Sequence, residues 1–189
     1  MNWQAILSSF ALVAASEMGD KTQLLAFTLA SRFRRPWAVM AGIFVATVAN
    51  HALASSAGVW VSSHVQHRLM TAILAVTFIG FGLWTLRPDK LDQDDKPSRF
   101  GPFLTTMVLF FLAEMGDKTQ LATAALGAEF QSAITVTIGT TLGMTASDGL
   151  AVFLGGRLGH RVQGRWLRLV AAVLFFAFGA VSAWAAFRG

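Results

Sequence analysis

The chain has 189 residues, of which 54% are hydrophobic and 13% are charged, and its mean hydropathy is +0.56. Soluble domains carry about 25% charged residues, so this composition indicates an integral membrane protein. The net charge of +5 does not indicate nucleic-acid binding, because the basic residues form short clusters between apolar segments. The absence of cysteine excludes disulfides, thiolate metal ligands and thiol catalysis.

Six apolar segments follow one another along the chain. Each is long enough to cross a hydrocarbon core of about 30 Å as a helix, and tryptophans near the segment ends resemble an interfacial aromatic belt. The first segment has no basic signal-peptide region and is predicted to be retained as a helix. The sequence therefore predicts an all-α integral membrane protein with six transmembrane helices at about residues 4–30, 37–62, 69–86, 102–128, 132–156 and 167–187.

Lysine and arginine are distributed unequally between the connections. Eleven of the 15 lie after the first, third and fifth segments or at the start of the sixth, whereas the opposite side holds only Arg68 and Arg188. Cytoplasmic loops carry the excess of basic residues. Both termini are therefore predicted to lie on the non-cytoplasmic side.

The two halves of the chain repeat one another. A shift of 97 residues places residues 17–24 on residues 114–121 with all eight identical, and the register continues without gaps. We predict a first three-helix repeat at 1–86, a polar acidic linker at 87–101 and a second repeat at 102–189. Because each repeat has an odd number of spans, the second must enter the membrane from the opposite side. Such inverted-topology repeats are typical of secondary transporters with a site near the midplane.

The repeated motif places charged residues inside apolar segments. Glu17, Asp20 and Lys21 share one face of an ideal helix, and Glu114, Asp117 and Lys118 repeat the pattern. A charge at the bilayer centre costs about 2.5–3.5 kcal/mol or more, so these residues need an explanation. One is purely structural: Glu17–Lys21 and Glu114–Lys118 neutralise each other as internal ion pairs. That account leaves both aspartates unpaired.

The functional interpretation is a metal site made by the four carboxylates, since carboxylate oxygens suit Ca²⁺ and Mn²⁺. Gly19 and Gly116 would let the helices loosen at mid-depth and free backbone carbonyls. Supporting roles are expected for the neighbouring polar and basic residues of the motif: Lys21, Thr22, Gln23, Lys118, Thr119 and Gln120.

The charge of this cluster suggests how transport could be coupled. Four acids and two lysines sum to −2, which one divalent cation or two protons would neutralise. Protons should therefore compete with the metal for the same carboxylates. We expect one M²⁺ to exchange for about two H⁺.

Two further polar positions lie in the second and fifth segments. The repeat aligns Asn50 and His51 with Ser147 and Asp148. These residues could form a proton relay or an outer ligand set. They could equally be hydrogen-bonded contacts that hold helices together. The sequence leaves both interpretations open.

The doubled Glu-Met-Gly-Asp-Lys-Thr resembles the paired Glu-x-Gly-Asp-(Lys/Arg)-(Thr/Ser) signature of a membrane family of cation (manganese/calcium)/proton antiporters, which includes bacterial exporters of the MneA type. The resemblance covers the whole chain. It implies Glu17, Asp20, Glu114 and Asp117 as cation ligands and exchange groups. The short N-terminal region and linker resemble bacterial members, which implies export of Mn²⁺, or else Ca²⁺, across a bacterial inner membrane.

Alternatives from other classes were a passive cation channel, an intramembrane enzyme and an exporter of amino acids or other small solutes. The duplicated motif favours alternating access over a channel, and no nucleophile marks an enzyme. Four acids would repel the carboxylate of an amino acid. The expected partners are a divalent metal ion and membrane lipid, with no cofactor and no nucleic acid. A homo-oligomer is left open.

Overall fold

The computed structural model describes residues 2–86, 100–158 and 164–188, and within them the chain forms eight α-helices and no strand. The predicted all-α class is confirmed. Most of the predicted linker at 87–101 lies outside the described residues. The helices are α1 (Trp3–Glu17), α2 (Lys21–Phe33), α3 (Pro36–His64), α4 (His67–Thr85), α5 (Pro102–Glu114), α6 (Lys118–Phe130), α7 (Ala133–Leu158) and α8 (Gly164–Arg188).

Three helical stretches among the described residues are long and apolar enough to cross a membrane: α3, α4 and Arg168–Arg188 of α8. α5 is apolar but short. Many large apolar side chains on these helices are exposed, including Leu53, Val76 and Val173 at more than 60%. In a helical protein of this composition such a surface fits contact with lipid rather than with water.

The first and fourth apolar segments are each broken in the middle. Residues 18–20 separate α1 from α2, and residues 115–117 separate α5 from α6. Gly19 and Gly116 adopt φ of 82° and 78°, a left-handed conformation that glycine adopts without a steric penalty. The predicted loosening at both glycines is confirmed. The expectation that Glu17, Asp20 and Lys21 share one continuous helix face is wrong, because the helix ends between them.

Close helix contacts recur with the two halves exchanged. A Cβ added at Gly42 of α3 would lie 2.6 Å from the Phe103 carbonyl oxygen of α5. Its counterpart 97 positions later, Gly139 of α7, would lie 2.5 Å from the carbonyl oxygen of Ile6 of α1. Ile6 is itself the counterpart of Phe103. Each half therefore packs its long helix against the first helix of the other half through a glycine.

The same exchange relates contacts of α4 and α8. The Phe78–Phe178 ring centroids lie 5.3 Å apart, and those of the counterpart pair, Phe81–Phe175, lie 5.8 Å apart. Thr47 of α3 donates a hydrogen bond of 3.2 Å to the sulfur of Met144 of α7, and these two residues are counterparts of each other. A residue that contacts its own counterpart must lie beside the pseudo-two-fold axis that relates the two halves.

Candidate cation site

The two helix breaks bring the four predicted acids into the interior. The exposed fractions are 0% for Glu17, 4% for Asp20, 1% for Glu114 and 7% for Asp117. One carboxylate oxygen from each of Glu17, Glu114 and Asp117 lies within 4.8 Å of the other two. Acids from both halves thus converge. We call the four acids with Lys21 and Lys118 the carboxylate cluster.

Each lysine of the cluster pairs with the aspartate of the other half. Lys21 Nζ lies 2.9 Å from Asp117 Oδ1, and Lys118 Nζ lies 2.7 Å from Asp20 Oδ2. The interpretation in which internal Glu17–Lys21 and Glu114–Lys118 pairs explain the motif is therefore wrong. It assumed an unbroken helix, in which residues four apart meet. The breaks turn both lysines across the interface between the halves.

The two glutamates have different surroundings. Glu17 accepts a hydrogen bond of 2.7 Å from Thr22 Oγ1 and another from Thr119 Oγ1 of the opposite half. Neither carboxylate oxygen of Glu114 has a hydrogen-bond partner among the residues that the structure describes. A buried carboxylate without a partner is costly in an apolar interior, so Glu114 has capacity for a bound cation or a proton.

The glutamines of the motif form hydrogen bonds to the backbone at the helix breaks. Gln23 Oε1 accepts the Gly19 N–H at 2.8 Å, and Gln120 Oε1 accepts the Gly116 N–H at 2.6 Å. These bonds satisfy backbone donors that the left-handed turns expose. Both glutamines thus hold the backbone at the helix breaks.

The same glutamines also reach the long helix of the other half. The Gln23 amide donates to the Ser147 carbonyl oxygen at 3.0 Å, and the Gln120 amide donates to Asn50 Oδ1 at 3.4 Å. Asn50 in turn donates to the Phe111 carbonyl oxygen at 3.0 Å. Asn50 and Ser147, which are counterparts, therefore act as helix contacts.

His51 and Asp148 differ from their neighbours. Both are fully buried, and neither the ring nitrogens of His51 nor the carboxylate oxygens of Asp148 have a hydrogen-bond partner in the described parts of the chain. Asp148 interacts electrostatically with Glu17, Asp20 and Glu114, so it lies near the carboxylate cluster. No direct His51–Asp148 hydrogen bond joins α3 to α7 among the described residues.

The arrangement defines a class of protein. Carboxylates from two sequence repeats meet inside a bundle of apolar helices, and their oxygens lie close enough together to share one ion. Hard and intermediate divalent cations take such ligands. This is an integral membrane protein whose buried carboxylates are arranged as a divalent cation would require.

Comparison with known proteins agrees with that class. The family model for the divalent cation/proton antiporter GDT1 matches residues 5–93 and 102–189, so the chain belongs to the GDT1 family of divalent cation/proton antiporters. The family is one of transporters, not enzymes, and the suspected family resemblance is confirmed. The two matched stretches coincide closely with the two sequence repeats.

Individual relatives cover most of the chain. A Vibrio cholerae serotype O1 protein named "Putative manganese exporter" is 43% identical over 93% of this chain and 88% of its own length. GDT1-like protein sll0615 of Synechocystis is 29% identical over 95% of this chain and 97% of its own length. GDT1-like protein 3 of Arabidopsis thaliana is 29% identical over 95% and 70%, respectively. No solved structure matches the chain.

Sequence reasoning did not predict which residues pair with the lysines and glutamines of the motif. It named every member of the carboxylate cluster, but it considered ion pairs for the lysines only within their own halves and left the glutamines without a defined role. The signal was present in the glycines and aspartates: a Gly-Asp step that starts a helix places the following lysine in a new direction.

Proposed function

We propose that this protein exports a divalent cation from the cytoplasm in exchange for protons, with Mn²⁺ as the first candidate and Ca²⁺ as the second. The observation that carries this proposal is the meeting of Glu17, Glu114 and Asp117 oxygens within 4.8 Å, where neither oxygen of Glu114 has a hydrogen-bond partner among the described residues. All four motif acids would serve as ligands or exchange groups during the cycle.

The balance of charge supports coupling to protons. The carboxylate cluster holds four acids and two lysines, and the ion pairs engage both lysines with aspartates. The two glutamates are left as the excess negative charge. One divalent cation would neutralise that charge, and so would about two protons, which makes the two loads alternatives at one site.

The exchanged contacts support alternating access. Six spans in two inverted three-helix repeats would place the carboxylate cluster near the midplane, with each broken span contributing one half-helix to either side. The Gly42 and Gly139 contacts, and the two aromatic pairs, are the kind of contacts that such a two-fold relation produces. The linker would then connect the repeats on the cytoplasmic side.

The distribution of basic residues supports the direction of export. With both termini outside, the loops rich in arginine lie in the cytoplasm, and a bacterial inner membrane is the proposed location. The similarity to a Vibrio cholerae protein named for manganese export favours Mn²⁺ as the ion. Asp148, near the cluster and without a hydrogen-bond partner in the described chain, is proposed as a relay for protons, with His51 as its counterpart in the first half.

Reconstituted protein tests this function. In proteoliposomes at a clamped membrane potential, Mn²⁺ flux should drive proton flux in the opposite direction, and a pH gradient should drive Mn²⁺ flux. Glu114→Gln should abolish both. Glu129→Gln is the matched control, since Glu129 lies on α6 outside the cluster, half-buried and hydrogen-bonded to Ser182. A Mn²⁺ current that no pH gradient can drive would exclude proton exchange, and unchanged flux in Glu114→Gln would exclude this site.

A further inference from the structure

The two aspartates of the motif are not equivalent in this structure. Asp20 Oδ1 accepts the backbone N–H of Lys21 at 2.8 Å, and Asp20 Oδ2 is paired with Lys118. Asp117 makes no such cap to its own helix, and its Oδ2 has no hydrogen-bond partner among the described residues. Within the described chain, Asp117 and not Asp20 joins the two glutamates within 4.8 Å. Both aspartates pair with a lysine, but Asp20 uses its other oxygen for the backbone, whereas the other oxygen of Asp117 has no hydrogen-bond partner in the described chain and lies beside the glutamates.

Resting on the function proposed above, we propose that the two aspartates bind the transported ion in turn, one in each state of the cycle, while the two glutamates bind it in both. Exchange of the halves replaces Glu17 by Glu114, Glu114 by Glu17 and Asp117 by Asp20. The trio present here, Glu17, Glu114 and Asp117, therefore becomes Glu114, Glu17 and Asp20 in the opposite state. The ion keeps two ligands throughout and exchanges the third.

The lysines show how the aspartate that does not bind the ion is neutralised. A carboxylate that has given up its ion inside apolar surroundings needs another positive charge. Lys118 gives this to Asp20, and the pair is deeply buried, with side-chain exposures of 4% and 2%. The equivalent pair of Lys21 and Asp117 is more open, since the Lys21 side chain is 27% exposed. The more exposed ion pair therefore contains Asp117, the aspartate that would bind the ion in this state.

The threonines follow the same asymmetry. Thr22 and Thr119 both donate to Glu17 and leave Glu114 without a partner in the described chain. In the exchanged state, Thr119 and Thr22 would both donate to Glu114 and release Glu17. Glu114 and Asp117, both of the second half, are thus the acids of the trio with an oxygen that has no hydrogen-bond partner in the described chain, although Asp117 Oδ1 pairs with Lys21.

Packing indicates which side each aspartate serves. A Cβ added at Gly58 of α3 would lie 1.9 Å from the Ala124 carbonyl oxygen of α6, and one added at Gly127 would lie 2.4 Å from the Ser55 carbonyl oxygen, so α6 is tightly seated. α2, the counterpart of α6, has fewer buried residues. In the proposed topology α2 leads to the basic cytoplasmic end, so the more loosely packed side of this state is the cytoplasmic one. The trio present in this state contains Asp117. We therefore assign Asp117 to loading from the cytoplasm and Asp20 to release outside.

Double substitutions that replace both members of one ion pair by uncharged residues, which we call pair deletions, test the inference without leaving a buried charge unpaired. Asp117→Asn/Lys21→Met and Asp20→Asn/Lys118→Met are counterparts, and Glu17→Gln and Glu114→Gln are the comparison. Each pair deletion leaves one complete trio, so purified protein should still bind Mn²⁺ with an affinity reduced by about tenfold or less, as when only one of two states is competent. Each glutamate variant should weaken binding by about a hundredfold or more, because both trios lose a carboxylate.

Transport and sidedness complete the test. Neither pair deletion should transport Mn²⁺, and in oriented vesicles the Asp117→Asn/Lys21→Met protein should bind from the outer face alone, and its counterpart from the cytoplasmic face alone. If both pair deletions lose binding as fully as the glutamate variants, all four acids form one simultaneous site and the inference is wrong. Transport by either pair deletion would also overturn it. A wild-type protein that neither binds nor transports Mn²⁺ would instead contradict the proposed function itself.

Discussion

Lys21 Nζ is paired with Asp117, 96 residues away in the sequence, at a distance of 2.9 Å, although Glu17 is only four residues from it. Lys118 makes the reciprocal pair with Asp20. The two halves are therefore joined by crossed ion pairs at the points where α2 and α6 begin. Any movement that separates the halves at this level must break or exchange these two ion pairs.

Ligand binding should depend on Glu114. Since a ligand that binds only the folded state stabilises it by about 2.7 kcal/mol at one hundred times its Kd, excess Mn²⁺ should raise the Tm of the wild-type protein in detergent. Glu114→Gln should abolish that increase, whereas Glu129→Gln should keep it. Thermal unfolding with and without Mn²⁺ measures the effect. An equal Mn²⁺-dependent rise in Glu114→Gln would show that the ion binds elsewhere.

The two lysines should differ in their contribution to stability. Removing one partner of a buried ion pair costs about 3–5 kcal/mol, so Lys118→Met should strongly destabilise the protein. Lys21→Met should cost less, closer to the ~1 kcal/mol of exposed pairs, because its side chain is 27% exposed. Adding Asp20→Asn to Lys118→Met should recover part of the loss. Denaturant unfolding in micelles provides the comparison, and equal losses in the two lysine variants would contradict it.

The left-handed glycines should not tolerate a side chain. Gly116→Ala meets no atom within 4 Å, so its cost, about 1–2 kcal/mol, would come from backbone conformation alone. Transport should fall with it, since the alanine favours a continuous helix through the carboxylate cluster. Gly80→Ala also meets no atom within 4 Å and lies inside α4, so it is the control and should not lose stability. Unfolding and Mn²⁺ flux of both variants decide the matter; a neutral Gly116→Ala would mean that the break does not depend on glycine.

The close packing of α6 against α3 should be sensitive to a single added methyl group. A Cβ at Gly58 would lie 1.9 Å from the Ala124 carbonyl oxygen, so Gly58→Ala must push the helices apart and should cost about 1–3 kcal/mol. Gly80→Ala inside α4, which meets no atom within 4 Å, is the control and should keep or slightly raise the stability. Stability in detergent and export rate in cells should fall together in Gly58→Ala. A fully active and stable Gly58→Ala protein would show that this contact can widen freely.

Much of the fold could be predicted from the sequence because hydropathy and repetition act over long stretches. The six apolar segments coincide with the six helices or helix pairs that the structure describes, and the 97-residue shift identifies the contacts that recur. The breaks at Gly19 and Gly116 could also be expected, since glycine within a charged motif weakens a helix at mid-depth. Boundaries differed by a few residues, as at α3, which extends to His64.

The partners within the site could not be predicted in the same way. The direction of Lys21 depends on the φ of Gly19 and on Asp20 starting a new helix, and neither is set by spacing along the chain. The difference between Glu17 and Glu114 is further removed from sequence, because the eight motif residues are identical in both halves. Two identical motifs acquire different hydrogen bonds through the neighbouring residues, which differ between the halves, and through the conformation that the whole bundle adopts.

The contact between Thr47 and Met144 has one more consequence. If the two halves were separate, identical polypeptides, the position where a residue touches its own copy would hold the same side chain twice, either two hydroxyls or two thioethers. Covalent linkage of the halves removes that restriction and allows a hydroxyl donor to face a sulfur acceptor. Joining the halves in one polypeptide thus permits a complementary contact that a homodimer of a single three-helix unit could not make.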